Sequence, residues 1–129
     1  MAKSIRGVNM SNLTTFELKV FVPSKDFDGS KRFYQDLGFT VASSNEGLAY
    51  IRHGESAFLL QKFYVKEFAE NLMMHLLVED VESWWERAHE VLLKYGLKSE
   101  PPKDQPWGIR DFTFADPAGV LWRIGQNME

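Results

Sequence analysis

The feature that most constrains this chain is that its order of elements is written twice. From Thr14 to Val22, the residues Phe16, Leu18, Val20 and Val22 alternate with Glu17, Lys19 and Phe21, and a period of two specifies a strand with two unlike faces. Pro23 ends that run. Ser24 or Asp26 can cap a helix reaching Leu37, with Phe27, Ser30, Phe33, Tyr34 and Leu37 along one stripe and Gly38 where a left-handed residue closes a helix. Three short strands follow, Phe39–Ser44, Leu48–Arg52 and Ser56–Lys62, separated by turn residues at Asn45, Glu46 and Gly47 and at His53, Gly54 and Glu55. Met73–Val78 begins the plan again. Asp80 caps a helix in which Val81, Trp84, Trp85, Ala88, Val91, Leu92 and Tyr95 recur at helical spacing, and Gly96 stops it. Strands are expected near Leu97–Glu100 and over Ile109–Ala115 and Val120–Gln126, the last two joined by Asp116, Pro117, Ala118 and Gly119. A period of roughly 59 residues in two copies is too long and too few for a solenoid, so it predicts a duplicated module closing one core.

The resulting division is an N-terminal extension at 1–13, a first module at 14–62, a connector at 63–72 and a second module at 73–126, all within one domain. The connector places Val65, Phe68, Ala69 and Leu72 at helical spacing, which predicts a short helix; Phe63, Tyr64 and Phe68 would either glue it down or cover a cleft or dimer seam. Ser99–Gly108, with Pro101, Pro102 and Pro106, is a loop long enough to be a binding element.

Composition removes several kinds of chemistry. A chain of 129 residues without cysteine has no disulfide, no thiolate metal site and no cysteine nucleophile. A net charge of −3 with scattered basic residues lacks the footprint of a nucleic-acid binder. No apolar run approaches a signal-peptide core or a membrane span, so a cytoplasmic protein is expected. Nothing resembles a metalloprotease helix or a nucleophile elbow. The one excess is aromatic, with Phe 10, Tyr 4 and Trp 4.

The two modules, the helix end Phe33–Phe39 (Phe-Tyr-Gln-Asp-Leu-Gly-Phe) and the stretch Trp107–Gly119 resemble the vicinal-oxygen-chelate superfamily. That superfamily holds glyoxalase I, extradiol dioxygenases, fosfomycin-resistance enzymes and bleomycin-resistance proteins. Over about residues 14–126, the resemblance implies an α+β fold of two βαβββ half-barrels of mixed sheet, completed by a homodimer whose inner faces enclose a ligand or a metal. The enzymes place four metal ligands on inward strand positions. Carried onto this chain, those positions fall on Glu17, Gln61, His75 and Arg123, and only His75 matches. An arginine donates only and brings positive charge where a cation would sit. Arg123 is therefore expected to pair with Glu17 in place of a metal, and the stretch Leu121–Gln126 resembles the bleomycin-resistance branch.

The expected function is sequestration of a flat or aromatic, cationic small molecule, without chemistry and without a cofactor. The alternative is a divalent-metal enzyme of the glyoxalase I or dioxygenase kind, its ion held by Glu17, Gln61 and His75 while Arg123 binds an anionic substrate. His75 is thus either a ligand or a hydrogen-bonded pocket residue. Burying Phe16, Leu18, Val20 and Val22 against the helices turns Glu17, Lys19 and Phe21 inward, and the same phase sends Leu59 and Gln61, then Leu121 and Arg123, to the cavity. Arg110, if inward, brings Phe112 and Phe114 with it as pocket lining; otherwise these rings are ordinary core. Trp107, outside any periodic pattern, either plugs the domain or faces the ligand. Trp84, Trp85 and Trp122 are assigned to packing, and His53 and His89 to solvent.

Overall fold

A computed structural model describes residues 11–129, so most of the 1–13 extension lies outside the described residues. The first half comprises β1 (Phe21–Pro23), α1 (Phe27–Leu37), β2 (Thr40–Ser44), β3 (Leu48–His53) and β4 (Ser56–Gln61). After α2 (Lys66–Asn71) come β5 (Met73–Leu77), α3 (Val81–Lys94), β6 (Lys103–Asp104), β7 (Ile109–Ala115) and β8 (Leu121–Asn127). They form two four-stranded sheets, in the orders β1-β4-β3-β2 and β5-β8-β7-β6. In each, the first and last strands of the module pair parallel and the other pairings are antiparallel.

Both long helices start and stop for local reasons. The Asp26 carboxylate accepts from the Gly29 N–H at α1 and that of Asp80 from the Ser83 N–H at α3, satisfying amides that the helix leaves unpaired. Gly38 ends α1 at φ 110°, where a side chain would be strained. Alternation in the strands turns Val22, Ile51, Leu60, Trp122 and Ile124 toward the helices, where they are buried; the opposite faces stay open.

The aromatic excess is mostly spent here. Phe33, Tyr34, Phe39, Phe58, Phe112, Phe114 and Trp122 are buried in one cluster spanning both modules, their rings meeting mainly edge-on. Trp84 and Trp85 join it from α3, against Phe39 and Phe112, and His53, exposed as expected, lays its ring against Trp84. Phe21 lies beside Leu59 and His75 beside Arg123, each pair two residues before the end of its parallel ladder. Phe58 and Trp122 are therefore counterparts in the two modules, and their centroids are 5.5 Å apart. A second tie crosses the modules: the Tyr34 hydroxyl donates to Asp116 at 2.5 Å and accepts from Trp122 Nε1 at 2.9 Å. The other Asp116 oxygen accepts from the Ala118 and Val120 N–H groups. Burial pushes this carboxyl up, and the Tyr34 and backbone donors pull against it.

Two elements differ from expectation. The ladder of β1 starts only at Phe21, so Phe16 and Leu18, expected against the helices, are 96% and 97% exposed on an extended arm. In the β1–β4 register Ser56, the first residue of β4, would stand opposite Leu18, so β4 has no residue left to pair with Phe16, and the ladder itself stops short of that limit, at Phe21. Leu97–Glu100 forms no strand but a single bridge from Ser99 to Phe114, and pairing resumes at Lys103. Pro101 and Pro102 explain the delay, since neither has an N–H for a ladder.

Candidate functional site

The open sheet faces carry the residues singled out from sequence, in an arrangement different from the one expected. On the first sheet, the register sets Phe21, Leu59 and Tyr50 in one row and Gln61 beside Leu48. Glu17 reaches this face from the arm, as its phase predicts, but its partners are the Tyr50 hydroxyl, Lys19 at 3.0 Å and Arg52 at 3.2 Å. The Tyr50 hydroxyl foremost, then Lys19 and Arg52, hold the Glu17 carboxyl down at about 2. Since this lies below the ordinary value, the tether contributes at any pH above the usual carboxylate range and is lost as pH falls through about 2. Tyr50→Phe is expected to move Glu17 titration back toward about 4.3. Carbon-detected NMR of the side-chain carboxyl would check this, and an unchanged midpoint would show that the tyrosine does not set it.

On the second sheet, Arg123 does face the open side, yet it pairs with Asp111 at 2.6 Å and not with Glu17. The reason is proximity along the ladder: Asp111 stands opposite Gly125 and Thr113 opposite Arg123 on the adjoining strand, whereas Glu17 already has partners on the other sheet. Asp111 is 1% exposed, and its second oxygen accepts from Gln105 Nε2 at 2.9 Å. His75 lies beside Arg123 over a notch at Gly125, where an added Cβ would stand 2.8 Å from Ile109 Cγ2 and 3.3 Å from His75 Nε2. Trp107 is 62% exposed, and the Arg123 guanidinium sits 5.8 Å from its ring centroid. The indole therefore does not plug the domain.

Of the two readings of β7, the structure gives the one in which Phe112 and Phe114 are core, and Arg110 does not line the site from within. Arg110 is held at 2.7 Å by Glu82 of α3 and at 3.0 Å by Asp104, and Phe112 packs edge-on against Trp85 of the same helix. The apolar pair belongs to the buried side, and Arg110 escapes burial because it lies near the strand's end. Asp111 and Thr113 take the open face instead. Asp111 and Gln105 were not picked out from sequence; a lone acid on the strand next to Arg123 was the available signal.

Two cavities flank this face. The larger, about 740 Å³, runs along β7 where its pairing with β6 gives out, between 97–105 and the end of α3, and includes Arg123, Asp111, Phe112 and Lys103. The smaller, about 440 Å³, lies between the arm and β5, with Glu17, Phe16, His75 and Trp122. Phe21, Leu59, Gln61, Trp107 and Arg110 line neither.

The duplication also tests the fit of a metal. His75 and Arg123 are ladder partners, and their counterparts in the first module are Phe21 and Leu59, not Glu17 and Gln61. Taken together, these four positions would offer an ion one imidazole, a guanidinium and two hydrocarbon side chains, which is not a donor set for a divalent cation. Among the described residues, no group of three or more His, Asp or Glu is placed to hold a metal.

Two βαβββ halves around one aromatic core, with an open face on each sheet, define a paired half-barrel protein. The chain belongs to the Glyoxalase/Bleomycin resistance protein/Dioxygenase superfamily, whose model matches residues 18–124. It is 26% identical over 114 residues to a bleomycin resistance protein from Klebsiella pneumoniae, covering 82% of this chain and 88% of that one. A bleomycin-binding protein solved with bleomycin has the same fold at a TM-score of 0.74, with 24% identity over 88% of this chain and 99% of that one. A lactoylglutathione lyase from Agrobacterium tumefaciens also shares it, at a TM-score of 0.65, with 16% identity over 88% and 95% of the two chains. No helix among the described residues is long and apolar enough to cross a membrane.

Proposed function

We propose that this protein is a homodimeric binding protein that sequesters a planar, aromatic, drug-like small molecule without transforming it and without a metal cofactor. The observation that carries the reading is the filling of the four pseudo-equivalent inward positions by Phe21, Leu59, His75 and Arg123, a set suited to contact rather than to metal-assisted catalysis. The relatives that bind or resist bleomycin support it. Support for the dimer comes from the apolar side chains left in water: Phe16 and Leu18 on the arm, Met73 and Leu77 beside the open face of the second sheet, and Phe21 on the first. A second copy would cover them and close the cavity between facing sheets.

The test combines sedimentation with calorimetric titration of metal-free bleomycin and a panel of aromatic antibiotics, followed by recovery of the ligand. A dimer that binds at least one of them at micromolar or lower Kd and returns it unchanged is expected. Conversion of the ligand on addition of a divalent metal would favour the glyoxalase-like alternative and overturn this reading.

A further inference from the structure

The chain's net charge is −3, but the open face of the second sheet does not share that sign. Among the described residues, ladder pairing places His75, Arg123, Asp111 and Lys103 there as the ionisable ones, with Lys103 also 3.8 Å from Glu100 beyond the sheet. Asp111 is the only carboxylate among them. It is 1% exposed, and each of its oxygens is already occupied, one by Arg123 and one by Gln105. A carboxylate so placed cannot receive a ligand cation. It does fix the guanidinium, because only Nη1 is engaged; Nε and Nη2 have no protein acceptor among the described residues.

The surroundings complete a site. The His75 imidazole lies next to Arg123 and over the Gly125 notch. Trp107 presents its indole from a tight turn in which the Gly108 N–H donates to the Gln105 carbonyl, while the Gln105 side chain holds Asp111. Glycine is needed after the tryptophan, since Gly108 has φ 88°. One turn thus positions both the exposed ring and the carboxylate that orients the arginine.

We infer that this face recognises an acidic group: the Nε and Nη2 donors of Arg123, with His75 beside them, take the carboxylate of a planar ligand whose ring system stacks on Trp107. A fixed, charge-assisted fork favours a carboxylate over a neutral or cationic group of the same shape. The inference rests on the sequestration reading and names its ligand class, an aromatic acid, in place of the cationic compound that net charge suggests.

The probes are naphthalene-2-carboxylate, naphthalene-2-carboxamide and 2-naphthylmethylammonium, titrated into the full chain by calorimetry with the indole N–H signals followed by NMR. The carboxylate is expected to bind at least ten-fold more tightly than either other probe and to shift the Trp107 signal. Trp107→Ala should weaken all three by similar factors, whereas the double variant D111N/R123M, which leaves no buried charge unpaired, should abolish the preference for the acid. Equal affinity of the three probes at Trp107 would overturn acid recognition and leave the aromatic-binding reading standing. Absence of any Trp107 shift with all three would overturn both at this face.

Discussion

Asp116→Ala is expected to destabilise the protein by about 3 kcal/mol or more, lowering Tm by on the order of 10 °C. The substitution removes one acceptor for the Tyr34 hydroxyl and another for the N–H groups of Ala118 and Val120, all in a region closed to water. Each orphaned donor keeps its desolvation cost with nothing to offset it. Asp116→Asn should lose less, because its carbonyl still serves the turn while only the bond to Tyr34 is disturbed. Thermal and urea unfolding of both variants, with Tyr34→Phe for a double-mutant cycle, measures the coupling. A wild-type midpoint for Asp116→Ala would mean that the link between α1 and the β7–β8 turn contributes nothing to holding the modules together.

Arg123→Met is expected to cost about 3 kcal/mol, for a different reason. It leaves Asp111, at 1% exposure, as a buried carboxylate with Gln105 as its single partner. Breaking such a pair from one side is worse than removing both charges, so D111N/R123M should recover most of the loss. Urea midpoints for the two single variants and the double variant separate these terms. If the double variant is no more stable than Arg123→Met, the ion pair is not what the single substitution breaks.

Much of the fold was legible because it depends on periods and punctuation. Asp26, Gly38 and Asp80 sit at the helix ends where their side chains or backbone freedom place them, and apolar alternation orders β3, β4 and β8. Alternation alone did not reveal where pairing stops. Thr14–Val20 has the pattern of a strand, but a strand also needs a neighbour, and β4, whose first residue would face Leu18, offers none to Thr14–Glu17. The site was harder because an offset along β1 changes which residues correspond. Counting back the same distance from the caps Asp26 and Asp80 reaches Phe21 and His75, so the pseudo-symmetric counterpart of His75 can be read from the sequence; the family resemblance points to Glu17 instead. On β7 parity leaves two choices, and the two aromatics in phase with Arg110 decide for burial, because a single polar residue near a strand end can still reach solvent. Nothing local identified Asp111 as the partner of Arg123, since that choice is made by strand order.

The contact between Phe58 and Trp122 has a consequence for how such a chain can change over generations. These residues occupy the same place in the two halves and touch each other, so the pseudo-twofold axis of the duplication runs between them. In a symmetric ancestor, a side chain at this place would have met its own copy, and any gain or loss of volume would have been felt twice. In the present chain, a larger or smaller ring in one half alters the room left for the other. The two halves can therefore drift apart freely on their outer faces, while at the axis each substitution sets the terms for the next.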